Sequence, residues 1–132
     1  MAETFAVAGE DIDAGTVVVI SDEDTVRASS ESYDPRVAGV VSGAGPLKPG
    51  VILAARPRDG KRCPLALAGR AWCKVDASYG AIAVGDLLTS SGTSGHAMKA
   101  ADASRASGTI IGKALRGWGS GTGLIPILVV LQ

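Results

Sequence analysis

Short runs of apolar, β-branched residues separated by clusters of Gly, Pro, Asp and Ser dominate this chain, and that pattern predicts strands. The runs are Thr16–Ser21 (TVVVIS), Val37–Ser42 (VAGVVS), Gly50–Ala55 (GVILAA), Pro64–Val75 (PLALAGRAWCKV), Asp86–Ser90 (DLLTS), Thr109–Leu115 (TIIGKAL) and Leu124–Leu131 (LIPILVVL). Gly69, inside the longest run, predicts a bulge or a sharp bend. Helical spacing is poorly represented. The alanine-rich stretch Met98–Ser107 is short and lacks an apolar stripe, so it predicts one helical turn or a loop. Many short strands with little or no helix predict an all-β fold, a small barrel or sandwich with glycine-rich turns.

The strand pattern occurs twice. Ile12-Asp-Ala-Gly15-Thr-Val-Val-Val is echoed by Ile82-Ala-Val-Gly85-Asp-Leu-Leu-Thr, and Thr25–Ala28 by His96–Ala100. Arg36-Val-Ala-Gly39-Val-Val is echoed by Thr109-Ile-Ile-Gly112-Lys-Ala. A glycine-rich turn and an apolar strand follow in each copy: Ser42–Gly45 then Val51–Leu53, and Gly117–Gly121 then Leu124–Leu128. Two related β units, about 10–60 and 80–132, are therefore expected, joined by one long strand, 64–75, and closing a common core within a single domain, 1–132.

The final run changes the picture of assembly. A strand with one wet face alternates, yet Leu124, Ile125, Ile127, Leu128, Val129, Val130 and Leu131 form an almost unbroken apolar stretch. Such stretches are buried on both faces. The second cover is either the rest of the chain, with this as its central strand, or a sister copy. Pro126 has no N–H to donate and is expected at an edge or a bulge.

Composition narrows the class. Eighteen glycines in 132 residues are about twice the ordinary share of about 7%, without a three-residue period, which fits a turn-rich β protein and excludes collagen. Five aromatics are too few for a platform of several stacking rings. The charges cancel, thirteen against thirteen, so no global field draws nucleic acid or anionic membrane. Residues 1–34, however, carry nine acids against one base, and residues 35–132 carry four against twelve. Segments of opposite sign favour docking, within a chain or between copies; a solvated acidic rim is the other reading. Cys63 and Cys73 have neither zinc nor CxxC spacing and read as two thiols, one or both packed inward, unless a hairpin brings them together. No apolar run reaches the roughly 18–20 residues of a membrane span, and the acidic start is unlike a secretory signal.

Candidate chemistry is sparse. His96 lies near Ser90, Ser91, Ser94 and Asp86, but no nucleophile-elbow motif accompanies them, so a loop histidine is the expectation. Asp22-Glu23-Asp24 lacks calcium-loop spacing and reads as a solvated turn. Gly117–Gly123 is a hairpin turn rather than a phosphate cradle, Arg56–Arg62 a charged loop tip, and Asp34-Pro35 part of a turn. No metal or cofactor is expected.

Ala2-Glu-Thr-Phe5, Tyr33–Ser42 and Leu65–Val75 resemble a β-rich module at the C-terminal end of long bacterial and phage proteins, and Asp76–Gly80, Gly85–Leu88 and Gly95–Lys99 extend the match. More distantly, the opening and the Gly-Val-Val-Ser strand are similar to self-cleaving intramolecular chaperone domains of phage neck appendages and tail spikes. That resemblance implies a trimer that assists assembly of a β-helical shaft and is released by autoproteolysis, a role that would fall to Glu3. An aspartate normally precedes the motif; Met1 stands before Ala2 here, which predicts a trimmed or non-cleaving relative. The expectation is a structural assembly and oligomerisation module, the terminal cap of a fibre or appendage on a phage particle or cell surface. Its partners would be itself, as a homo-trimer, and an upstream fibre or β-helix domain, with no enzyme activity beyond possible self-cleavage. An autoproteolytic chaperone domain and a carbohydrate-binding adhesin using Trp72, Trp118 or Tyr79 are the alternatives.

Overall fold

In the computed structural model, residues 2–7, 12–45 and 62–132 are described, with backbone alone for residues 2–5, 7 and 62. Among the described residues ten strands follow one another: β1 (Ala2–Val7), β2 (Val17–Asp22), β3 (Thr25–Ala28), β4 (Val37–Val41), β5 (Arg62–Ala66), β6 (Ala68–Asp76), β7 (Leu87–Ser90), β8 (Ala97–Lys99), β9 (Ile110–Ala114) and β10 (Thr122–Val130). A 3-10 turn at Ala77–Tyr79 and one helical turn, α1 (Ala103–Ala106), capped by Asp102, interrupt them. The alanine-rich stretch thus contributes one helical turn, and the fold is all-β.

The strands close into two five-stranded barrels, β1-β3-β2-β4-β5 and β10-β6-β8-β7-β9. The pairings correspond one to one. β1 runs parallel to β3 as β6 does to β8, and every other pair is antiparallel in both rings. The ladder of β2 on β4 slips between Val18 and Val19, and that of β7 on β9 between Leu88 and Thr89, at the same place in each ring. The echoed glycines explain the match. Gly15 (φ +91°) and Gly85 (φ +89°) turn the chain into β2 and β7 in a conformation that costs other residues about 1–2 kcal/mol. Their N–H groups donate to Val41 O at 2.8 Å and Ala114 O at 2.7 Å. The sequence echo is thus a repeat of backbone geometry.

The stretch expected as one strand, 64–75, is divided at Leu67: Ala66 ends the first barrel and Ala68 begins the second. Leu67 belongs to neither strand, and Gly69 (φ +82°) sits just past the break where the chain passes from one ring to the other. Gly50–Ala55 lies outside the described residues.

Among the described residues, two apolar clusters form where one core was expected. The smaller belongs to the first barrel: Val18, Val26, Val41, Cys63 and Leu65. The larger joins Val17, Val40 and Ala66 of the first barrel to Cys73, Val75, Leu88, Ile111, Ile125, Ile127 and Val129 of the second. Each cysteine is therefore packed into a different cluster, and burial pushes the Cys73 thiol up to about 12. Backbone bonds tie the rings together as well: Lys74 N–H donates to Gly15 O at 2.9 Å, Val17 N–H to Gly95 O at 2.9 Å, and Gly95 N–H to Ser29 O at 2.8 Å.

Candidate functional site

Of the serines around His96, the Ser90 and Ser91 hydroxyls are committed to the backbone. Ser90, wholly buried, donates to Glu31 O at 2.7 Å and accepts from Asp34 N–H at 2.9 Å, holding the first barrel's Ser-Tyr-Asp-Pro turn against β7 of the second. Ser91 donates to His96 O at 2.7 Å and accepts from Thr93 N–H at 3.1 Å. The ring Nδ1 of His96 lies 2.7 Å from Ser94 O, and Asp86 accepts from Ala83 N–H at 2.8 Å while pairing with Lys99 at 3.6 Å. No serine–histidine–carboxylate relay is assembled among these residues. Asp22, Glu23 and Asp24 form the exposed β2–β3 turn, where Asp24 N–H donates to the Asp22 carboxylate at 3.0 Å. Glu3 sits in β1 opposite Leu65; its side chain lies outside the described residues, as do residues 56–61 of the basic run.

Carboxylates carry much of the polar structure. Asp34, 3% exposed, takes a two-pronged grip from Arg36, with Nε at 3.0 Å and Nη2 at 2.9 Å. That grip holds its carboxyl below the usual carboxylate range. Asp13, bonded to Lys74 Nζ at 2.6 Å, and Asp76, bonded to Ser78 and Thr93, are lowered for the same kind of reason. Tyr33, in the left-handed region at φ +54°, accepts through its hydroxyl from Asp102 N–H at 2.9 Å, and Arg105 lies 4.5 Å from its ring centroid. The acid response follows from the sign of the shifts. Each carboxyl titrates lower folded than its ordinary 3.8, so its stabilisation is complete above that value. As pH falls further the unfolded chain takes protons first, and the contribution disappears through the lowered folded values. Thermal midpoints are expected to be level between about pH 7 and 5 and to drop steeply below about pH 4. Asp34→Asn should shallow that drop in melts read by circular dichroism; an unchanged acid limb would show that Asp34 does not contribute.

The outer wall of the second barrel presents a different surface. Register places Arg70, Leu128, Lys113 and Leu87 in one row across β6, β10, β9 and β7. Trp72 and Pro126 form the row beside it, and Leu115 N–H donates to Pro126 O at 3.0 Å. Pro126 therefore lies just past the last β9 pair, where its missing N–H interrupts no ladder. Leu87, Leu115 and Leu128 are 37%, 40% and 37% exposed. A groove of about 490 Å³ runs along this wall, lined by Ser42, Ala44, Arg70, Trp72, Arg116 and Pro126. Gly45 lies directly against the Trp72 ring, where a Cβ would come within 2.4 Å, and the Arg116 guanidinium is 5.2 Å from the ring centroid. Trp118 lies over Gly123 and donates to Gly121 O at 3.1 Å, and Tyr79 shares a 2.9 Å hydrogen bond with Thr93.

The residues expected at an oligomer interface divide by face. Ile125, Ile127 and Val129 point into the chain's own core and are at most 2% exposed. Leu124 and Val130 are half-buried, and Leu128 and Leu131 are exposed. The outer row of Arg70, Lys113 and Leu87 was not singled out from sequence; its only signal there is the basic excess after residue 34.

No protein-family model matches this chain, and no curated protein matches it. Among solved structures it is similar to the N base of the head fibre protein gp8.5 of bacteriophage phi29, with a TM-score of 0.52 and 17% identity, covering 98% of this chain and 93% of that one. At that identity the likeness is one of fold.

Proposed function

We propose that this chain is a structural module of a phage-type appendage, self-associating as a homo-oligomer, a trimer by preference, that seats or caps a fibre. The observation that carries the reading is the end-to-end likeness of the doubled barrel to a head fibre base. The internal use of the hydroxyls and carboxylates supports it, because Ser90, Ser91, Asp34 and Asp86 are engaged in holding turns and barrels together rather than facing a substrate. Function on this reading is mechanical: two closed rings abolish free sheet edges, and a shared core resists shear between them. The partners are further copies and an upstream fibre domain, and the location is the phage particle.

Antibodies against the chain, applied to particles that carry it and viewed by negative-stain electron microscopy, are expected to decorate appendages. Sedimentation of the purified chain should give a multiple of 13.2 kDa. Label confined to free protein, or saturable binding to a defined glycan with no particle label, would overturn the reading in favour of a soluble binding module.

A further inference from the structure

The outer wall of the second barrel carries three cations with no ion-pair partner among the described residues: Arg70, Lys113 and Arg116. They surround exposed Leu87, Leu115 and Leu128. No carboxylate of residues 68–132 relieves them. Asp76 is bound to Ser78 and Thr93, Asp86 to Ala83 N–H and Lys99, and Asp102 to Ser104. The first barrel presents the complement. Ile20 is 46% exposed two residues before the exposed Asp22-Glu23-Asp24 turn, and Glu23 and Asp24 form no ion pair with a described residue.

We propose that the basic, leucine-bearing wall around Arg70, Leu128 and Lys113 docks against the acidic Ile20–Asp24 edge of a second copy of this chain. The proposal rests on the self-association put forward above and supplies its geometry. The β2–β3 turn sets exposed acids beside exposed Ile20, and the wall sets exposed leucines beside cations without ion-pair partners among the described residues, so the two surfaces are complementary in charge and in apolar character. The two patches differ and lie on different barrels, so the contact is head-to-tail. Head-to-tail contacts close into rings when the rotation permits. Part of the opposite charge of residues 1–34 and 35–132 is used within the chain, by Asp13–Lys74 and Asp34–Arg36, and this contact draws on the acids and bases left over. The Leu–Ile contact supplies the desolvated centre, and the charges fix register and repel a wall-to-wall pairing.

Charge reversal tests it. Arg70→Glu with Lys113→Glu makes both patches acidic, and Glu23→Lys with Asp24→Lys makes both basic. Each double variant is expected to sediment as a 13.2 kDa monomer with an unchanged circular dichroism spectrum. An equimolar mixture of the two should re-associate, because each reversed patch then meets its opposite, but only as alternating pairs, even-numbered rings or open chains, since a ring of three would force one like-charged contact. The four changes in one chain should restore self-association. Folded variants that keep the oligomeric mass, or a mixture that stays monomeric, overturn the proposal while leaving oligomerisation through another face intact. A wild-type chain that is monomeric at every concentration overturns both this interface and the self-association from which it follows.

Discussion

Alanine at Gly112 is expected to prevent proper closure of the second barrel. A Cβ built there would stand 2.1 Å from Leu128 O and 3.0 Å from Val129 Cα, both backbone atoms that cannot swing aside as a side-chain tip can. Gly112 pairs with Val129 in the β9–β10 ladder, so relief requires β9 to move off β10 and to give up the three pairs that close the ring. Overpacking costs about 1–3 kcal/mol even where side chains can adjust, and a ladder forced apart adds to that. Against a total stability of about 5–15 kcal/mol the loss is a large share. Gly39 occupies the same place in the first barrel, with φ +148° and a Cβ position 2.8 Å from Ala66 O, and Gly39→Ala should act in the same direction. Gly108 separates the causes: at φ +81° it has no atom within 4 Å of a Cβ, so Gly108→Ala carries only left-handed strain, about 1–2 kcal/mol. Urea melts should therefore place Gly112→Ala well below Gly108→Ala, or find it insoluble. Equal midpoints for the two would mean that the close approach of β9 and β10 is not what demands glycine.

Those glycines also mark what the sequence could disclose. Gly15 with Gly85 and Gly39 with Gly112 were readable as an echo because backbone geometry selects glycine at each place. The β-branched runs were readable because they pack the barrel interiors. Pairing was not: nothing in Ala2–Val7 says that it lies parallel to β3, and that contact is what closes the first ring. The break at Leu67 was hidden for a related reason, since two apolar strands in succession look like one when the chain passes directly from ring to ring. In β10 the inward residues Ile125, Ile127 and Val129 do alternate with Leu124, Pro126, Leu128 and Val130. Apolar residues on the outer face erased that alternation from the sequence. The basic row is invisible along the chain because Arg70, Leu87, Lys113 and Leu128 become neighbours only through register.

The larger cluster makes the two barrels one mechanical unit, and Ile125→Ala is the substitution that should show it. Ile125 is fully buried opposite Cys73, in the cluster that also takes in Val17 and Val40 from the first barrel. Removing its side chain deletes apolar contact and leaves a cavity, a change that costs about 2–5 kcal/mol in closely packed cores. A midpoint lowered by roughly 10 °C or more is expected for a chain of this size. The informative part is the coupling. With Trp72 replaced by Phe, because its ring packs on Gly45 just after β4 of the first barrel, Trp118 reports the second barrel by fluorescence, whereas far-ultraviolet circular dichroism reads both rings. If Val17 and Val40 stand on the same core as Ile125, the first barrel loses support when the second opens, and the two signals must fall together with and without Ile125→Ala. A fluorescence transition that precedes the dichroism change, with about half the β signal surviving, would show instead that each barrel stands alone and that the shared cluster transmits no load between them.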